Sequence, residues 1–110
     1  DVRIWRFSAK SSDNRAVMMD WLMTTTGYAE HTSELESRVT LSVVSFDDEG
    51  KDTIQLQGVG LYPITGSTLK SEVTLERAVI GGTGQYAGAS GVVTSTHLTD
   101  GSWQHVFNLD

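Results

Sequence analysis

A chain of 110 residues with 38% hydrophobic and 20% charged content has the size and composition of one globular domain with a modest core. Eight scattered basic residues against fourteen acidic ones give a formal net charge of −6, which argues against nucleic acid and anionic membranes as partners, because phosphate contacts need clustered Lys and Arg. The absence of cysteine excludes disulfides, thiolate nucleophiles and Cys-based zinc or iron–sulfur sites.

Strand signals then follow one another along the chain. Residues 2–8 (VRIWRFS) alternate and are rich in β-branched and aromatic side chains, and residues 10–15 (KSSDNR) form a polar loop. Residues 16–23 (AVMMDWLM) fit either a plain strand or a short helix that lines or covers a cavity mouth. Residues 28–36 carry alternating polar groups that extend a strand, and residues 38–46 (RVTLSVVSF) are a strand. Residues 47–51 (DDEGK) read as a hairpin turn in which Gly50 takes a positive φ. The next strand covers residues 53–62 and is ended or kinked by Pro63, the chain's one proline. A turn containing Gly66 follows at residues 64–68.

Residues 69–80 alternate strictly. Leu69, Ser71, Val73, Leu75, Arg77 and Val79 share one face, and Lys70, Glu72, Thr74 and Glu76 share the other. That is the pattern of a half-buried antiparallel strand. Residues 92–98 and 103–109 form a last hairpin across TDGS, where Asp100-Gly101 is a strong turn signal. Many short strands joined by tight turns favour a sandwich or a barrel, and pattern alone does not choose between them. No apolar run reaches the roughly 20 residues of a membrane span, and no signal or transit peptide is evident. A bacterial cytoplasmic location is the expectation, with no membrane partner.

Several chemical motifs are absent or incomplete. The stretch AVIGGTGQYAGASG at residues 78–91 is glycine-rich, but the run after it is β-patterned and carries no Lys-Ser or Lys-Thr, so it reads as a tight turn rather than a phosphate loop. His97 and His105 face each other's strands in the last hairpin, yet a catalytic zinc needs a third ligand, so no metal and no cofactor are expected. No G-x-S-x-G elbow is present. Trp103, His105, Phe107 and Leu109 share one face of the last strand, and Trp5 and Phe7 share one face of the first with Arg3. Such residues either fill a small core or wall an apolar lumen holding a few polar groups.

The stretch AVIGGTGQYAGASGVV resembles the strand–turn–strand signature of the allene oxide cyclase and dirigent superfamily, which reads apolar–GGTG–aromatic–x–G–A–x–G. DTIQLQGV at residues 52–59 is similar to that family's strand ending in a Gln-Gly pair. The resemblance covers residues 28–110 and, more weakly, residues 2–22. It implies an all-β fold, an eight-stranded antiparallel, calycin-like barrel, as a single domain over residues 1–110. The first strand region lacks the glutamate and proline of allene oxide cyclases, and the chain lacks the cysteines of dirigent proteins. The resemblance therefore points to bacterial polyketide cyclases, including those of the [4+2] type.

It implies a cofactor-independent cyclase of natural-product biosynthesis. Such a cyclase folds a linear apolar polyketide in the lumen and directs stereoselective ring closure. The alternative is a non-catalytic barrel that binds or carries an apolar small molecule. Trp103, His105, Tyr62 and Arg6 are the candidate catalytic donors to a substrate carbonyl. Trp5, Phe7, Met18, Trp21, Tyr28 and Phe107 are the candidate substrate-binding wall. A homodimer or homotrimer is expected, because both faces of several strands carry apolar residues, Val43 with Val44 and Val92 with Val93 among them.

Overall fold

The computed structural model describes residues 2–28, 35–63 and 73–110, with the backbone alone of Tyr28. Seven strands follow in chain order among these residues. They are β1 (Val2–Lys10), β2 (Ala16–Tyr28), β3 (Leu35–Ser45), β4 (Thr53–Pro63), β5 (Thr74–Thr83), β6 (Gly91–His97) and β7 (Trp103–Leu109). Each pairs antiparallel with the next, so one sheet runs in simple order from β1 to β7. The all-β expectation holds, but the closed eight-stranded barrel does not: the sheet is a curled half-barrel of seven strands. Closure needs the first and last strands to share a ladder. Here β1 pairs with β2 alone and β7 with β6 alone.

The segment at residues 16–23, open between helix and strand in the sequence, is the first part of β2 and no lid. It pairs along its length with β1 on one side, and from Met18 onward with β3 on the other. Two flanking ladders outweigh its weak helical preference. The expected turns at residues 47–51 and 99–102 are present. Asp47 accepts the backbone N–H groups of Glu49, Lys51 and Asp52, the last at 2.9 Å, and Gly50 takes φ 71°. Asp100 accepts the Ser102 N–H at 2.9 Å beside Gly101 at φ 90°. β4 ends at Pro63 as read. The Gly66 turn, the start of the strand read at residue 69 and residues 29–34 of the stretch read at 28–36 lie outside the described residues.

The glycine-rich stretch divides differently from the reading of it as one turn. Gly81 and Gly82 belong to β5, which bulges at Ile80 because Gln55 pairs with Gly81 and Leu56 with Val79. The turn proper is a single 3-10 turn, Gly84–Tyr86, followed by Gly88 at φ 81°. Gly82 is required by crowding: a Cβ there would strike the Tyr86 carbonyl and lie 2.7 Å from the Thr53 carbonyl. The turn is pinned to the β3–β4 hairpin through Asp52, whose carboxylate accepts the Gln85 N–H at 3.0 Å, and through Thr83, whose hydroxyl donates to the Lys51 carbonyl at 2.8 Å.

The concave face divides into two regions. One end packs shut around Leu56, Val44, Val93, Ile54, Val79 and Met19. The other end holds Tyr62 and Met23 against Trp5, Leu75 and Trp103, and stays open. The convex face carries an apolar stripe across β1–β4. Ile4, Leu22 and Leu41 sit side by side in register, with Val39 beside Val59 on the next row, and all five are exposed. No helix among the described residues is long and apolar enough to cross a membrane.

Candidate functional site

Strand parity builds the open end. Successive side chains alternate between faces, so Trp5 and Phe7 of β1, Trp21 and Met23 of β2, and Trp103 and His105 of β7 all turn inward. Tyr62 reaches the same space from β4, and Arg77 reaches it from β5. Together they wall a cleft of about 580 Å³. That lies within the roughly 300–1,000 Å³ of small-molecule sites.

Arg77 fits because its cross-strand neighbour has no side chain. A Cβ on Gly58 would lie 2.8 Å from Arg77 Cγ and 3.2 Å from its Cα. The guanidinium lies 5.0 Å from the centroid of the Trp21 ring. It donates from Nη2 to the Tyr62 hydroxyl at 2.8 Å and from Nη1 to Ser95 Oγ at 3.3 Å. Burial pushes its pKa downward, opposed by the Tyr62 contact. Arginine nonetheless keeps its proton in proteins.

Ser95 passes this polarity on. Its Oγ lies 2.7 Å from His105 Nδ1 and is wholly buried. Ser95 Oγ thus accepts from Arg77 and shares one hydrogen bond with His105 Nδ1, in which the tautomer of His105 sets the donor. Burial first, and the positive charge of Arg77 second, lower the His105 pKa to about 4. At neutral pH the ring is uncharged. It is held between Trp21, 5.5 Å away, and Trp103, stacked at 6.2 Å; His97 stacks on the far side of Trp103 at 4.8 Å.

A second polar cluster lies beside the cleft. Arg38 is fully buried, donates from Nε to Glu36 at 2.8 Å and from Nη2 to the Pro63 carbonyl at 3.1 Å, and stands 4.8 Å from the Tyr62 ring centroid. Thr25 donates to the same Glu36 oxygen at 2.7 Å, and Arg3 lies 3.7 Å from it. Thr25 above all, then Arg38, holds the Glu36 carboxyl below the ordinary carboxylate range. Farther along β3, the hydroxyls of Thr40 and Ser42 are buried without a hydrogen-bond partner among the described residues.

Of the candidate donors read from the sequence, Trp103, His105 and Tyr62 meet in the cleft, and of the candidate wall residues Trp5, Phe7 and Trp21 do. Arg6 does not. It lies on the convex face, exposed, paired with Asp20 at 3.0 Å, because its even number in β1 sends it away from Trp5 and Phe7. Met18 is turned outward by the same alternation in β2, between the inward-facing Val17 and Met19. Phe107 is on the inner face but packs against the closed core. The side chain of Tyr28 lies outside the described residues. Sequence reasoning missed Arg77 and Ser95 as members of the site; Met19 and Met23 join Trp21 on the inward parity of β2. For Arg77 the signal was present: a cation at an inward position of a strictly alternating strand.

No group of three His, Cys, Asp or Glu among the described residues is arranged to hold a metal ion. The chain matches no protein-family model, no curated protein and no solved structure.

Proposed function

We propose that the cleft binds a linear, largely apolar molecule and folds it for stereoselective ring closure, making the chain a cofactor-independent cyclase. One observation carries this reading. Aromatic and Met side chains from β1, β2, β4 and β7 converge on one cleft with a few uncharged polar groups: the His105 imidazole, the Tyr62 hydroxyl and the indole of Trp103. Apolar walls with a few convergent polar groups are the usual make-up of a small-molecule site. The resemblance of residues 78–93 to the allene oxide cyclase and dirigent signature supports the same reading.

The chemistry asks little of the protein. A [4+2] closure is an isomerisation in which three π bonds become one π and two σ bonds, with no proton to place. The cleft needs to hold the reacting carbons within about 3–3.5 Å of each other and exclude water. An uncharged imidazole N–H directed at a carbonyl draws electron density from the reacting π system, as neutral histidine does elsewhere. Association of subunits through the convex stripe of Ile4, Leu22, Leu41, Val39 and Val59 belongs to the same reading, since a stripe of this extent in water favours a partner.

The test incubates the protein with linear polyketide polyenes, fatty-acid epoxides and monolignol-like phenols, follows thermal stabilisation, and looks for a cyclic isomer of identical mass. Conversion by the wild type, slowed tenfold or more in His105→Ala and Trp103→Ala as expected for loss of an oriented donor, is the expected result. Stabilisation without conversion identifies a carrier instead. No stabilisation by any class removes the small-molecule reading.

A further inference from the structure

The cleft is charged opposite to the chain that forms it. The protein carries a formal net charge of −6. The charged residues lining the cleft are Arg77 in the wall and Lys10 at the rim, with no Asp or Glu among the lining residues. Arg77 also stands apart from the other arginines. The chain has five, all described. Arg3 and Arg38 lie within 4 Å of Glu36, Arg6 lies 3.0 Å from Asp20, and Arg15 lies 2.9 Å from Asp13. The recorded partners of Arg77 are the Tyr62 hydroxyl, Ser95 Oγ and the face of Trp21, all neutral. Its residue exposure is 5%, and its Nε is buried with no hydrogen-bond partner among the described residues.

A buried guanidinium that cannot lose its proton is costly unless a counter-charge meets it. In the other four cases the chain supplies a carboxylate. At Arg77 none of the described residues does, and the group faces an opening. We infer that Arg77 selects ligands by charge: the cleft takes an apolar molecule ending in a planar oxyanion such as a carboxylate, seated against Arg77 and the Tyr62 hydroxyl, with its body along Trp5, Trp21 and Trp103. This rests on the reading of the cleft as a small-molecule site and adds the end group to it. The low pKa of His105 agrees, since its second cause is the charge of Arg77. A bound anion offsets that charge and lets His105 take up a proton at higher pH than in the free protein.

The test measures binding of decanoate, methyl decanoate and decylamine at pH 7 through quenching of the three tryptophans, which all line the cleft. The wild type is expected to bind decanoate roughly 10- to 100-fold more tightly than the methyl ester, the range of a charge-assisted hydrogen bond. The amine should bind most weakly. Arg77→Met abolishes the preference for the acid, whereas Arg6→Met on the convex face keeps it. NMR titration of His105 should show a pKa raised by decanoate and unmoved by the ester. Equal binding of acid and ester by the wild type overturns the inference and leaves the small-molecule reading standing. Binding of none of the three overturns both. The acid–ester comparison uses the wild type alone, so failure of Arg77→Met to fold does not affect it.

Discussion

Lowering the pH from 7 to 5 isolates one half-buried group. The His105 imidazole has a folded pKa of about 4 against an ordinary value of 6.5. Folding thus favours the uncharged ring, so its contribution to stability is present above pH 6.5 and is lost as the pH falls towards 4. With those two values the linkage relation gives a loss of about 2 kcal/mol between pH 7 and pH 5. For a domain of this size that is roughly 8 °C in Tm. The carboxylates held low in the folded protein, Asp13, Glu36, Asp47 and Asp100, have reference values of 3.8 or 4.5 and exert their effect mainly below pH 5. His105→Asn keeps a hydrogen-bonding partner for Ser95 and removes the titration. Thermal unfolding of both proteins by circular dichroism at pH 7 and pH 5 is the assay. The difference between the two pH-induced losses reports His105 alone. Parallel losses in wild type and variant would refute the assignment of a half-buried, neutral ring beside Arg77.

The glycine-rich stretch supplies a paired test. Gly82→Ala drives a methyl group into the Tyr86 and Thr53 carbonyls and should cost about 2 kcal/mol or more, of the order of other forced backbone strain; Gly81→Ala, which meets nothing within 4 Å, should cost well under half of that by urea denaturation. If the two variants unfold at the same urea concentration, the pinned-turn account fails. Light scattering should give a mass of two or three chains of 12.0 kDa, and Leu41→Lys, in the centre of the convex stripe, should lower it to one. A single-chain mass for the wild type removes association from the functional reading.

Local signals carried the strand order and most turns. Asp47 and Gly50, Asp100 and Gly101, and Pro63 each act on backbone within a few residues, so their effect is readable without knowing what packs against them. The alternation of β5 was equally plain: Leu75, Arg77 and Val79 turn inward while Thr74 and Glu76 stay exposed, because the large apolar side chains Leu75 and Val79 share one parity. β3 offered no such choice. Its inward residues are Arg38, Thr40, Ser42 and Val44, and its outward ones are Val39, Leu41 and Val43. The more apolar parity faces outward, the reverse of what burial alone favours.

The same limit applied to the site. Trp5 and Trp21 of the paired strands β1 and β2 meet Trp103 and His105 of β7, from the far end of the sequence, and a shift of one residue in any ladder exchanges inner for outer faces. Arg6 and Met18 show the consequence, one position away from cleft residues and on the opposite face. The alternating and turn-forming residues are enough to specify a β protein of short antiparallel strands, since those preferences act over a few bonds. Whether the sheet closes, which face of β3 is inside, and which cation faces the cleft depend on register and curvature summed over seven strands. Those quantities arise only when distant strands meet.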